Sequence, residues 1–324
     1  MKRSSLLSFL SSQGVLIALV ALILFGWLRY DNFLGLFNIS TVLRYNSMFA
    51  LVALGMCFVI MTGGIDLSVG ATAAFGSVVS ALLSPYGALV GSAGGVAAGL
   101  AIGVLNGLVI VKLRILPFIA TLAMMLAANG SALLLAQDQS VSVSYDSGFT
   151  DLGQSDVFNI PIPALIAAAA YVVGSIVLNF TSAGRTVLAI GGNEDASRLM
   201  GLPVDRVKFF TYVVSGGLAG LAGVILASQF GAGQPIEGVG WELFAIASVV
   251  VGGTLLTGGL GSVGATLAGV MLLGLIFNVL NFENGRGFIS LSAYWQSVIR
   301  GAFLLFVVIL QSRLMDRADR EETP

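Results

Sequence analysis

The sequence predicts a single all-α, polytopic membrane domain over residues 1–324, and three observations predict it. Of the 324 residues 57% are hydrophobic and 10% charged, and the mean hydropathy is +0.97. Apolar runs long enough to cross about 30 Å of hydrocarbon recur along the chain. Lys and Arg gather in alternate connections, the asymmetry of a multi-pass chain. No polar stretch is long enough to be a soluble domain. The net charge of −1 gives no reason to expect nucleic acid, and membrane lipid is the expected surrounding. The chain has no histidine and one cysteine, Cys57. Imidazole chemistry, an internal disulfide and a multi-cysteine metal site are therefore not expected.

The pattern gives ten spans, near 13–28, 43–62, 68–84, 88–111, 117–136, 161–180, 208–229, 241–258, 262–282 and 294–311. Lys2 and Arg3 precede the first, as in a signal peptide. That run ends in Trp27-Leu28-Arg29-Tyr30 without a small-x-small cleavage pattern, so a retained span is expected. Gly63-Gly64 joins the second and third spans almost without a loop, and Gly258-Gly259 joins the eighth and ninth. Each pair is a candidate broken or re-entrant helix pair.

With the N-terminus inside, ten spans put Lys2, Arg3, Lys112, Arg114, Arg185, Arg198, Arg206, Lys208, Arg313, Arg317 and Arg320 in the cytoplasm. The outside keeps Arg29, Arg44 and Arg286, and both termini are cytoplasmic. The longest external segment, about 138–160, holds Asp138, Asp146, Asp151 and Asp156 and no Lys or Arg. It reads equally as a solvated loop or as a surface that receives a partner. The turn-rich loop 230–240 is expected to shape the outer mouth. The mixed-charge segment 313–320 is expected to be a solvated helix end.

Two regularities run through the spans. Gly91, Gly95, Gly99, Gly103 and Gly107 recur every fourth residue, and Gly216 and Gly220 do the same, as faces for close helix packing. "MTGGIDLSVGAT" at 61–72 aligns with "LTGGL-GSVGAT" at 256–266 once one residue is skipped. The match suggests a duplicated half with equivalent breaks.

The most informative polar stretch is about 184–208. Its middle has both ends of a short helix marked. Asn193 is placed to cap the first N–H groups, and Glu194 and Asp195 sit at the positive end of the dipole. Arg198 falls in the last turn, Gly201 suits a left-handed C-cap, and Pro203 suits the first position of the next helix. With Arg185, Arg198, Arg206 and Lys208 nearby, the positive-inside rule puts this helix in the cytoplasm. It reads as an ordinary polar loop or as a docking knob.

The stretch "AIGGNEDASRLMGLPVDRVK" at 189–208 resembles the coupling-helix loop of sugar-importing ABC permeases of the ribose and galactofuranose type. "GGIDLSVG" at 63–70 and "ELFAIASVVVGGTLLTGG" at 242–259 resemble two further signatures of that family, in the expected order. The resemblance covers nearly the whole chain. It implies a permease subunit of the bacterial inner membrane that moves a pentose or furanose-type sugar. Gly192, Asn193, Glu194, Ala196, Arg198, Leu199 and Gly201 would form the helix that docks a separate cytoplasmic ATPase. ATP would bind that partner, so this chain would carry no cofactor. A periplasmic sugar-binding protein would deliver the substrate. A second copy or a sister permease would complete the pathway. Related permeases commonly carry an aspartate where this chain has Phe244.

Polar groups at membrane depth are the candidates for the path or gate, because each is costly in lipid. Asp66 and Ser68 sit at the first break, where Asp66 is also placed to N-cap the third span. Trp241 and Glu242 open the eighth span, facing an outer cavity in this reading. Asn46, Asn106, Asn129 and Asn278 suit interhelical hydrogen bonds, and Arg300 in the tenth span needs a partner or a route to the surface. No Walker-type motif, H-E-x-x-H, C-x-x-C or nucleophile elbow occurs, so no catalytic role is expected. The rival reading is an ion-coupled secondary transporter in which Asp66 and Glu242 carry the ion.

Overall fold

The structure, a computed structural model, describes residues 2–285 and positions 295, 298, 299, 301 and 302, with side chains from Gly14 onward. Most of the expected tenth span, with Arg300, lies outside the described residues, as do Arg286, Arg313, Arg317 and Arg320. The helices are α1 (Lys2–Arg29), α2 (Leu36–Met61), α3 (Val69–Leu83), α4 (Ala88–Lys112), α5 (Pro117–Ala136), α6 (Asp151–Gln154), α7 (Ile162–Phe180), α8 (Ser182–Gly192), α9 (Glu194–Leu199), α10 (Val204–Phe230), α11 (Trp241–Val251) and α12 (Val263–Gly285). Four two-residue strands are β1 (Val141–Ser142), β2 (Asp156–Val157), β3 (Ile160–Pro161) and β4 (Ala232–Gly233). Seven helices are long and apolar enough to cross a membrane: α2, α3 with the turn after it, α4, α5, α7, α10 and α12. Gly14–Arg29 of α1 and all of α11 are shorter apolar helices. The described residues thus carry seven full-length helices rather than the ten spans expected for the whole chain.

The centre is α2 packed on α10. Every residue of α2 from Ala50 to Met61 is buried. The glycine stripe of α4 lets it lie backbone to backbone on α10. A Cβ at Gly99 would stand 2.7 Å from the Gly220 Cα, and one at Gly103 would stand 2.9 Å from the Val213 Cα. Lipid tails are as apolar as the side chains, so helices associate through such close packing more than through a hydrophobic drive.

Segment 138–160 is exposed over much of its length but anchored at defined points. Phe149 is fully buried, and its carbonyl accepts the Ser228 hydroxyl at 2.6 Å. Strand β1 pairs antiparallel with β4, Val141 opposite Gly233, and β2 pairs with β3. Arg44 donates to the Gly153 and Gln154 carbonyls at 3.0 and 2.6 Å and pairs with Asp156 at 2.6 Å. The segment is thereby fastened over the ends of α2 and α10.

The loop 230–240 also departs from expectation, because it does not stay outside. It runs down α3. A Cβ at Gly233 would meet the Val78 Cα at 2.8 Å, the Ser77 hydroxyl accepts the Gln234 N–H at 3.0 Å, and Gly238 packs on Gly70. Helix α11 therefore opens beside the first turn of α3, about 20 Å below the far end of that helix at 1.5 Å per residue. With 11 residues it spans about 16 Å, half a bilayer. The expected span 241–258 is in fact a half-helix. Gly253 (φ +87°) ends it in a left-handed turn, with the Gly253 and Thr254 N–H groups on the carbonyls of Val250 and Val249. Gly252 lies so close to α12 that a Cβ there would stand 2.6 Å from the Ala265 carbonyl oxygen. The irregular backbone on both sides of α11 is tolerated at depth because protein encloses it or a cavity faces it.

Candidate functional site

The route of 231–240 creates a cavity of about 610 Å³ among α2, α10, α11, α12 and the descending segment. Its inner wall is aromatic. Phe49 of α2 stacks on Phe244 at 4.4 Å and on Trp241 at 4.8 Å, and Phe277 lies 6.1 Å from Phe244. Tyr45, Asn46, Glu237, Asn278 and Asn281 supply polar groups. Asn278 donates to Asn38 at 2.8 Å and accepts from it at 3.2 Å, which ties α12 to α2. Asn46 turns its amide back to the Val42 carbonyl at 2.8 Å. The cavity is thus an apolar floor with amide walls and one carboxylate, Glu237, a lining that suits a hydroxyl-bearing solute.

Of the path residues expected from sequence, Trp241 and Asn278 line this cavity. Glu242 lies on another side of α11, where a Cβ at Gly70 would stand 2.8 Å from its carboxylate. Asp66 and Ser68 sit in a separate buried cluster. Asp66 lies two residues ahead of the Ser68 cap position of α3, and its carboxylate takes a backbone N–H at the helix entry, as a capping side chain does. Its Oδ1 accepts the Ser68 N–H at 3.0 Å and the Ser68 hydroxyl at 2.6 Å, and its Oδ2 accepts the Ser215 hydroxyl at 2.9 Å. Asn106 Nδ2 donates to the Ser68 hydroxyl at 2.8 Å. Asp66 therefore fastens the α2–α3 interruption to α10 and α4. Phe49 and Tyr45, absent from the sequence-based candidates, carry no local signal in an apolar run and come to the cavity only through the packing of α2.

At the other end, Arg114, Arg198 and Lys208 meet Glu194, Asp195 and Asp205 around a cleft of about 400 Å³. Helix α9 stands beside it. The Asn193 side-chain oxygen accepts the Ala196 N–H at 2.9 Å. The Leu202 and Gly201 N–H groups close the other end on the carbonyls of Ser197 and Arg198 at 3.1 and 3.0 Å, with Gly201 at φ +77°. Pro203 stands one residue ahead of α10 rather than at its first position. Glu194 pairs with Arg198 at 3.0 Å and Lys208 at 2.8 Å, and Arg198 also pairs with Asp205 at 2.5 Å. Partial burial pushes the Glu194 carboxyl up, but hydrogen bonds from Lys208 and Arg198 outweigh it and hold the group below its ordinary value. Leu199 is 89% exposed and Met200 68% exposed at the tip of this anchored helix. An apolar tip held out by salt bridges has the geometry of a docking knob.

Helix interruptions at depth beside a partly enclosed, amide-walled cavity are the anatomy of a membrane permease. The chain belongs to the family of permease components of the branched-chain amino acid transport system type, whose description matches residues 38–308. It is 37% identical over 309 residues to the L-arabinose transport system permease protein of Escherichia coli, covering 95% of this chain and 92% of that one. It is 39% identical over 303 residues to the ribose import permease protein of Bacillus subtilis, covering 93% and 92%. The ribose import permease protein of Haemophilus influenzae is 34% identical over 319 residues, covering 94% of each chain. No solved structure matches the chain.

Proposed function

We propose that the chain is the permease subunit of an ATP-driven importer for a pentose or furanose-type monosaccharide in the bacterial inner membrane. The basic end and both termini face the cytoplasm. A separate ATPase seats α9 in a surface groove, and ATP binds there. A periplasmic binding protein docks on the end covered by 138–160 and releases its sugar into the aromatic-floored cavity. A second permease copy or a sister chain completes the pathway. The chain performs no covalent chemistry; closure of the ATPase moves α9 and biases the permease between outward- and inward-open states.

The observation that carries this reading is α9. Six residues capped at both ends and locked by three ion pairs hold Leu199, with Met200 beside it, out of the structure as a fixed apolar tip that a partner's groove would cover. The named relatives support a sugar as cargo, and the cavity fits one: ring faces receive C–H surfaces while amides meet hydroxyls. Phe244, where related permeases commonly carry an aspartate, makes the floor more apolar.

The test is uptake of radiolabelled ribose and L-arabinose into proteoliposomes that hold the permease, its ATPase and its binding protein. The expected result is ATP-dependent uptake of one of these sugars. Phe244→Ala should raise the half-saturating concentration of loaded binding protein or sugar about tenfold, the cost of one aromatic contact of ~1.4 kcal/mol. Uptake that proceeds without the ATPase and collapses with an ion gradient contradicts the proposal.

A further inference from the structure

Three stretches of backbone meet at one point near the basic end: the end of α2 at Met61–Gly63, the turn at Gly258–Gly259, and the end of α8 at Gly191–Gly192. The Gly259 N–H donates to the Met61 carbonyl at 3.0 Å. A Cβ at Gly191 would fall onto the Met61 carbonyl oxygen and the Gly259 nitrogen. A Cβ at Gly258 would stand 2.7 Å from the Gly63 nitrogen and 3.0 Å from the Gly191 Cα, and one at Gly259 would stand 2.9 Å from the Gly192 Cα. These are backbone-to-backbone contacts, so no rotatable side chain takes up slack between the segments.

Each segment leads somewhere. Beyond Gly192, Asn193 closes α8 and caps α9. Beyond Gly63 the chain passes through Asp66 to α3, which opens at Val69. Beyond Gly259 it reaches α12, which opens at Val263. The two similar motifs at 61–72 and 256–266 thus bring their first glycines to the same place, and the end of α8 touches both.

We propose that Gly191 is the positioning residue through which a displacement of α9 reaches both helix interruptions at once. The inference rests on the importer reading above. Close-packed interiors yield little, so a shift of α8 by a fraction of an ångström must move Met61 and Gly259 or break the bond between them. Glycine is required there for closeness and not for its backbone angles: Gly191 is helical, and its φ is not positive. Alanine fits that helix, so any loss in Gly191→Ala comes from the added methyl against the junction. The control lies just past the junction, in the first turn of α12. A Cβ at Gly264 meets nothing within 4 Å among the described residues.

The experiment uses the complete importer in proteoliposomes, with radiolabelled ribose and L-arabinose as probes and with ATP hydrolysis and ATPase co-purification measured in parallel. Gly191→Ala should retain the ATPase and its basal hydrolysis but lose at least about tenfold in ATP-driven uptake, a coupling loss of ~1.4 kcal/mol or more. Gly264→Ala should transport like the wild type. Wild-type uptake by Gly191→Ala, or equal losses in both variants, overturns the inference alone. A wild-type chain that recruits no ATPase overturns the importer reading, and this inference with it. Should Gly191→Ala fail to insert, spin labels at Ser182→Cys on α8 and Gly264→Cys on α12 give the same answer, since the native Cys57 is fully buried. Their separation should stay constant between nucleotide-free and ATP-trapped states. A separation that changes when ATP binds shows the two moving independently and overturns it.

Discussion

At the scale of residues, the three polar groups that matter most do different work. Asn193 takes one free N–H of α9, and its loss in Asn193→Ala should cost about 1 kcal/mol. Hydrogen exchange across 194–199 should then quicken about fivefold, while Asn193→Asp keeps the cap and the slow exchange. Glu194 sets a pH limit on the same element. Its carboxyl lies below its ordinary value in the folded chain, so its contribution is present above that ordinary value. The contribution is lost as pH falls through the lowered folded value. Exchange in α9 should therefore rise on acidification through that window, and Glu194→Gln should remove the pH dependence. The effect is small, because the pairs are partly exposed. Asp66 is the structural counterpart in the interior. It accepts three hydrogen bonds, and Asp66→Ala leaves three donors short, which should cost about 3 kcal/mol in detergent thermal unfolding.

At the scale of elements, α9 was legible and α11 was not, for a physical reason. A helix cap is a local device: Asn193, Glu194, Arg198 and Gly201 carry their geometry in their own chemistry and spacing. The length of α11 is set from outside. The composition of 241–258 is compatible with a full span, and the turn-rich 231–240 carries no sign of depth. What takes 231–240 down beside α3 is its seat at Ser77 and Gly70, and what ends α11 is the left-handed turn at Gly253. The aromatic floor was hidden for the same reason. Phe49, Trp241, Phe244 and Phe277 come from three helices and nothing near each residue announces the others. The glycine stripe of α4 was legible because it repeats every fourth residue. It predicts its own test: Gly99→Val would drive its side chain into the Gly216 carbonyl and the Gly220 backbone and should destabilise the chain by about 3 kcal/mol, read as a lowered melting temperature.

At the scale of the whole molecule, two ends are linked by a short path. One end carries a salt-bridged knob with an apolar tip, and the cavity lies toward the other beneath the fastened segment 138–160. Between them stand the two helix interruptions, joined at Met61 and Gly259. A machine powered by a cytoplasmic partner needs such a path from knob to cavity, whereas an ion-coupled carrier needs its ionisable groups at the substrate. Here Asp66, an acid of the rival reading, is enclosed by Ser68, Ser215 and Asn106 away from the cavity lining, where the carboxylate present is Glu237. The account stands on the claim that α9 docks an ATPase. Its most direct measurement is cysteine cross-linking from Ala196→Cys, with the buried Cys57 silent, in detergent-solubilised membranes that hold the candidate ATP-binding subunit. The account predicts a specific cross-link that is lost in Gly201→Val, whose left-handed backbone at φ +77° does not accommodate a β-branched residue. No cross-link to any ATP-binding subunit, with sugar uptake that follows an ion gradient, would contradict it.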